Sequence, residues 1–327
     1  MTTRRQHIIL TSLSLLTLLL FATDIVFGSV NIPISQLSDP VYHNIIYNFR
    51  LPKALTAILT GAAISVAGLI MQTHFQNPLA GPYVLGVSSG ASLGVALFML
   101  AAPVLPSFII TSGWGIVISA ILGALAILLI VLTVSYRTTQ STTLLIIGIM
   151  FGQIAGSIVT ILQNYADPDS LKLFIIWTFG SLSSVSWTYM QAMLPLTLVG
   201  LTIAIAMQKP LNALLLGENY AQSLGINIRM VRILIIITIA LLAGATTAFT
   251  GPIAFIGIAV PHLVRMMLST NNHHTTIPAT ILVGASLLLV CDICSQLPSN
   301  GSVLPINAIS SIIGAPIIIW IILKNRN

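Results

Sequence analysis

Residues 114–134 read WGIVISAILGALAILLIVLTV, twenty-one in a row without a charged side chain. An α-helix needs about 20 such residues to cross the hydrocarbon layer of a bilayer, so this stretch reads as a membrane-spanning helix. Working outward from it, comparable runs cover 8–27, 54–73, 83–102, 143–163, 190–207, 230–249, 253–269, 277–296 and 306–323. Strands of an outer-membrane barrel would alternate apolar and polar residues over short segments; these runs are continuous. The 327-residue chain is 56% hydrophobic and 6% charged, with a mean hydropathy of +1.03. A soluble domain carries about 25% charged residues, so this chain cannot coat a water-facing surface. The expected fold is all-α: a polytopic membrane protein of about ten transmembrane helices in a single domain spanning 1–327.

The charges give the expected topology. With the N-terminus inside, the inner segments hold Arg4, Arg5, Arg137, Lys209, Arg229, Arg232, Arg265, Lys324 and Arg326, and the outer ones only Arg50, Lys53 and Lys172. That asymmetry follows the positive-inside rule and places both termini in the cytoplasm. Arg4 and Arg5 ahead of Ile8–Thr23 have the outline of a secretion leader, but no small-x-small cleavage site follows. The stretch is read as a first span kept in the mature chain. Two weaker pieces, 171–183 and 297–305, are too short or too polar to cross and are expected as half-helices on the outer face. Cys291 and Cys294 lie three apart in an apolar run and are read as small packing residues.

Glycines recur every four residues at Gly86, Gly90 and Gly94, and again at Gly148, Gly152 and Gly156. Small residues at that spacing let helix backbones approach closely in lipid. An internal echo is also present. Arg50-x-x-Lys53 opens an apolar helix leading to Gly81-Pro82, and Arg229-x-x-Arg232 opens another leading to Gly251-Pro252, running the opposite way in this topology. Inverted repeats of this kind build many transporters.

Between the sixth and seventh runs lies KPLNALLLGENYAQSLGINI, residues 209–228. Leu211–Leu216 and Glu218–Leu224 have helical patterning, broken at Gly217 and closed at Gly225, which predicts a rigid element rather than a loose loop. Without Lys or Arg between 210 and 228, it is a poor match to an anionic lipid surface. No G-x-x-x-x-G-K-[ST] phosphate loop occurs, and no acid sits in the middle of a run, where an ion-coupled carrier or intramembrane enzyme would use one. Energy for transport is therefore expected from outside the chain; an ion-coupled secondary transporter is the rival of another class.

Several motifs, in order along nearly the whole chain, resemble the FecCD family of ABC-importer permeases. They include Arg50-Leu-Pro-Lys53, Asn77-Pro-Leu-Ala80, Leu85-Gly86-Val-Ser-Ser-Gly90, Trp177-x-x-Gly180-Ser-Leu and Leu214-x-x-Gly217-Glu-x-Tyr-Ala-x-Ser-Leu-Gly225. Gly251-Pro-Ile-x-Phe-Ile-Gly257, Val260-Pro-His-x-x-Arg265 and Gly314-Ala-Pro316 continue the series. The resemblance implies an inverted-repeat type II importer permease in the bacterial inner membrane, working as a homodimer or paired with a similar permease chain. It implies two cytoplasmic ABC ATPase subunits, which bring ATP and Mg, docked on 209–226. Leu211, Leu214, Leu215, Gly217, Glu218, Ala221, Leu224 and Gly225 are the candidate coupling residues.

The resemblance further implies an extracytoplasmic substrate-binding protein that meets Arg50 and Lys53; where the family often carries a second outer arginine, this chain has Gln296. Ser88, Ser89, Ser92 and Gln153 are candidates for the translocation pathway, whose lining should be small and mildly polar. The implied cargo is a ferric siderophore or related iron chelate, with haem or cobalamin as alternatives. No cofactor in this chain and no nucleic-acid partner are expected.

Overall fold

A computed structural model describes residues 3–28, 40–101, 113–135, 141–297 and 303–324. They form helices α1 (Thr3–Val26), α2 (Pro40–Ile45), α3 (Leu51–His74), α4 (Val87–Ala101), α5 (Trp114–Ser135), α6 (Ser141–Tyr165), α7 (Pro168–Thr178) and α8 (Trp187–Ala206). Then follow α9 (Gln208–Leu214), α10 (Glu218–Ser223), α11 (Ile228–Ile239), α12 (Ala245–Thr250), α13 (Ile256–Leu268), α14 (His273–Ser295) and α15 (Ile306–Lys324). A π-helical turn, Ile46–Arg50, joins α2 to α3, and another, Ala240–Gly244, joins α11 to α12. No strand occurs among the described residues. Seven helices are long and apolar enough to cross a membrane, and three shorter apolar ones, Val87–Leu100, Ile256–Leu268 and Ile306–Trp320, occupy the remaining expected runs.

The short members have local causes. Before α13, Gly251 (φ +74°), Pro252 and Phe255 (φ +65°) hold the backbone out of the helical region. The helix therefore begins at Ile256 and runs 13 residues, about 20 Å at 1.5 Å each. Before α4, the single 3₁₀ turn Pro82–Leu85 ends at Gly86, whose φ of +78° a side chain would oppose. The expected half-helix at 171–183 is α7. Asp167, followed by Pro168 at the first helical position, moves its start forward, and Gly180 (φ +72°) stops it. Asp167 accepts from the backbone N–H groups of Asp169 and Ser170 at 3.1 and 3.0 Å. The Ser170 bond foremost holds its carboxyl below the usual carboxylate range. Of the second expected half-helix, 298–302 lie outside the described residues, and Val303–Pro305 are irregular backbone.

Helix α3 is the hub. Of the most apolar window in the continuous helical stretch Pro40–His74, 89% is buried, against 11% for α1 and 22% for α6. It is packed on two sides by glycine-to-glycine contact. A Cβ on Gly61 would strike the carbonyl of Gly284 in α14, and one on Gly68 the carbonyl of Gly257 in α13. The four-residue glycine series packs likewise: Gly90 and Gly94 of α4 lie on Gly123 and Ser119 of α5, and Gly148 of α6 lies on Leu85. Gly156 breaks the series, since nothing stands within 4 Å of its Cβ position. The two Gly-Pro elements of the internal echo meet: Tyr83 Oη accepts from the Ile253 N–H at 3.3 Å, and Gly257 sits against Pro82.

Candidate functional site

Three regions gather the residues that the sequence singles out. The first is the segment formed by α9 and α10. Leu211, Leu214 and Ala221 are buried and face the bundle, whereas Leu215, Leu216, Tyr220 and Leu224 are exposed large apolar side chains. Gly217 (φ +101°) and Gly225 (φ +82°) make the break and the stop, as their positions in the sequence predict. The inner side is pinned by directed bonds. Asn212 Oδ1 accepts from the backbone N–H of His273 at 2.8 Å, and Asn212 Nδ2 donates to Asn272 at 3.0 Å. Gln76 Nε2, just beyond α3, donates to the Leu214 carbonyl at 3.1 Å. His273 bridges Asn212 and Thr73 through its two ring nitrogens, at 2.8 and 2.9 Å.

The candidate coupling residues thus divide into two sets. Leu211, Leu214 and Ala221 hold the element in place; Leu215 and Leu224 present its outer surface, together with Leu216 and Tyr220, which sequence reasoning missed. Glu218 belongs with the holding set: its Oε2 lies 2.7 Å from Nη2 of Arg232 on α11. Helical spacing through 214–224 was the available signal for Tyr220, but the bend at Gly217 rephases the two faces.

The second region is the charge cluster at the start of α3. Lys53 Nζ lies 2.6 Å from Asp292 Oδ2 of α14 and 3.6 Å from Asp24 Oδ1 of α1. Gln296 Nε2 donates to Asp292 Oδ2 at 2.9 Å and to Asp24 Oδ1 at 3.4 Å. Arg50 Nη1 donates to the Ile25 and Val26 carbonyls at 2.9 and 2.6 Å, capping the free end of α1 where a cation is favoured. Arg50 and Lys53 are each only 6% exposed. Both cations are thus engaged within the chain: two carboxylates converge on the Lys53 ammonium at its turn of α3, and the end of α1 holds the Arg50 guanidinium. Arg50, Lys53, Asp292 and Gln296 line a cavity of about 390 Å³ with Ser184 and Ser186.

The third region is α6. Gln153, Ser157, Thr160 and Asn164 are all exposed. At 100° per residue they share one narrow stripe, flanked by the exposed Met150, Ile154, Ile158 and Ile161. Polar side chains on a membrane helix favour a bundle interior, a partner or water over lipid, so this stripe marks a face that the single chain leaves uncovered. Of the four pathway candidates, Gln153 lies on it. Ser89 instead packs against Gly152, 3.5 Å from its Cβ position, and Ser88 and Ser92 are half-buried on α4. The spacing i, i+4, i+7, i+11 was the signal for Ser157, Thr160 and Asn164.

Comparisons with known proteins agree with this geometry. The model of the FecCD transport family matches residues 15–324. The vitamin B12 import system permease protein BtuC of Klebsiella pneumoniae is 34% identical over 324 residues, covering 99% of this chain and 96% of that one. The hemin transport system permease protein HmuU of Yersinia pestis is 34% identical over 320 residues, covering 94% and 95%. Among solved structures, an inward-facing conformation assigned to a metal-chelate type ABC transporter superposes with a TM-score of 0.88 at 29% identity, covering 97% of this chain and 99% of that one. PsaBC from Streptococcus pneumoniae shares the fold at a TM-score of 0.59 and 16% identity, covering 90% and 98%.

Proposed function

The chain belongs to the FecCD transport family, and from that premise we propose that it is the membrane-embedded permease subunit of an ATP-driven importer of bulky metal chelates. Two ATPase subunits grip 209–226 from the cytoplasm, a binding protein delivers cargo at the outer end of α3, and a second copy of this chain completes the pathway along α6. Both termini are cytoplasmic, and the membrane is the bacterial inner membrane. The observation that carries this reading is the α9–α10 element. Its inner side is bonded to the start of α14 and, through Gln76, to the end of α3, and its outer side offers Leu215, Leu216, Tyr220 and Leu224 uncovered. Such an element transmits a push.

The two acids within spans support external energy over ion coupling, since Asp24 and Asp292 both contact the same lysine. Relatives named for vitamin B12 and hemin, and a structural neighbour of metal-chelate type, favour a large planar or octahedral metal complex as cargo. The docking role of the outer cations passes to Arg50, which lines the cavity beside α1. The test is to reconstitute the chain with its ATPase and binding protein and measure ligand-stimulated ATP hydrolysis and uptake. The panel is haem, cobalamin and several ferric siderophores. Stimulation by one of these supports the reading; uptake by the chain alone, driven by an ion gradient, refutes it.

A further inference from the structure

On the face that carries α9 and α10, a cavity of about 300 Å³ opens between the ends of α3 and α13 and the start of α14. Its polar lining is Gln72, Thr73, Gln76, Arg265, Asn271, His273 and Thr276, and Leu215 forms part of the wall. Arg265 is the only Arg, Lys, Asp or Glu among the lining residues. Its Nη2 donates to Gln72 Oε1, and Gln72 in turn donates from Nε2 to the Ile258 carbonyl at 3.2 Å. Ion pairs among the described residues join Lys53 to Asp24 and Asp292 and Arg232 to Glu218; none reaches Arg265.

A guanidinium carries five N–H donors, and the described hydrogen bonds of Arg265 use one nitrogen. The end of α13 and the Gln72 oxygen supply only partial negative charge. A half-buried cation without an anion is disfavoured, and here it borders a space large enough to admit one. Three of the other lining donors are committed, Gln76 to Leu214, His273 to Asn212, and Thr73 to Leu69 and His273, whereas the buried Thr276 hydroxyl has no described partner. Asn271, exposed at the rim, makes no described side-chain hydrogen bond. The site is thus a planar, fork-shaped donor with one amide and one hydroxyl beside it, the geometry that guanidinium groups use for oxyanions.

We propose that this cavity binds a small oxyanion of the phosphate class, held by the Arg265 guanidinium and closed by Asn271. Leu215 lies in the wall and Gln76 bonds the coupling segment, so a bound anion steadies 209–226 against α3 and α13. That consequence rests on the importer reading; the binding itself does not.

The test uses the full chain in nanodiscs, with thermal unfolding followed by tryptophan fluorescence. Inorganic phosphate is titrated against chloride at matched ionic strength. The expected result is a saturable rise in unfolding temperature that Arg265→Gln abolishes. Arg265→Lys keeps the rise with affinity weakened about tenfold, as loss of a charge-assisted bond implies. Asn271→Leu, at an exposed position, weakens it without lowering the basal unfolding temperature, and it carries the test alone if Arg265→Gln does not fold. An equal rise in Arg265→Gln, or no saturable rise in the unaltered chain, overturns the proposal. So does a response that appears only after ATPase subunits are added, because the anion then belongs to the partner. Failure of ligand-stimulated hydrolysis in the reconstituted complex would sink the importer reading and leave this result standing.

Discussion

Replacing Lys53 with methionine keeps the unbranched four-atom stem and removes the cation that two buried carboxylates share. Lys53 Nζ stands 2.6 Å from Asp292 and 3.6 Å from Asp24, and all three residues are buried. Deleting one member of a buried ion pair costs about 3–5 kcal/mol, because the remaining charge has lost its partner. At 1.36 kcal/mol per decade this is about two to four decades in the folded-to-unfolded ratio. Adding Asp292→Asn to Lys53→Met removes the nearer stranded charge and leaves a neutral amide beside Gln296. The double variant should regain roughly 2 kcal/mol over the single one, the non-additivity expected of contacting groups. Unfolding in mixed micelles of rising SDS content, read by tryptophan fluorescence, measures both values, and binding-protein affinity is measured in parallel. The refuting result is a Lys53→Met variant within about 0.5 kcal/mol of the unaltered chain that has lost binding-protein affinity. The ammonium would then face outward, as the sequence alone suggested, and the cluster would not hold α1 and α14 to α3.

Gly68→Ala should destabilise the fold by about 1–3 kcal/mol, since its Cβ meets the Gly257 carbonyl, whereas Gly156→Ala, with nothing within 4 Å, should be neutral in the same unfolding assay. Leu215→Asp should leave stability within about 1 kcal/mol yet lower ligand-stimulated ATP hydrolysis of the reconstituted complex about tenfold, the scale of one interface anchor. Leu211→Asp, at a fully buried position, should instead prevent folding, visible as loss of the monodisperse peak on gel filtration. Gln153→Leu with Ser157→Leu should keep the fold and slow uptake in vesicles; unchanged uptake would remove the α6 stripe from the pathway. Asp167 has its folded pKa depressed by the Ser170 N–H. Its cap on α7 is thus fully present above the unfolded value of about 3.9 and lost as pH falls through the lower folded value. Amide exchange of α7 should accelerate there, and Asp167→Asn, which still caps, should flatten that dependence.

Much of the helical arrangement was legible because continuous apolar runs report membrane crossing directly, and Gly217 and Gly225 punctuate the 209–226 stretch where their residue type says they should. Three things were not legible, each for a physical reason. The partnership of Lys53 joins residues 24, 53 and 292, and a contact between helices so distant in sequence leaves no local pattern. The exposure of Tyr220 was not legible because Gly217, at φ +101°, resets helical phase, which periodicity cannot follow. Ser89 and Gln153 looked equivalent as small polar residues. Only packing separates them, Ser89 being closed off by Gly152 of α6 while Gln153 stays open.

The contrast between α3 and α6 bears on how a push at 209–226 reaches the pathway. Gln76 and Thr73 connect the end of α3 to Leu214 and His273, so force on the segment enters a helix that is glycine-locked to α13 and α14. A unit with backbones in contact has few side-chain rotamers through which to absorb displacement, and it moves as one body. Helix α6 meets the Val84–Ser89 stretch through Gly148 and Gly152 and buries Ala155 and Val159 on one side, while its Ser157, Thr160 and Asn164 face stands open. The face left for a moving seam is therefore the open side of α6 rather than the α3–α13–α14 core. On the proposed function, rocking of the locked core against α6 and its counterpart in a second copy would open one end of a polar-lined passage as it closes the other. A disulfide tying α4 to α6 across the Ser89–Gly152 contact should then block uptake while leaving ATP hydrolysis intact, whereas one tying α1 to α14 across the Thr17–Ser286 contact should leave both unchanged. Equal inhibition by the two would place the moving seam elsewhere in the bundle and defeat the argument.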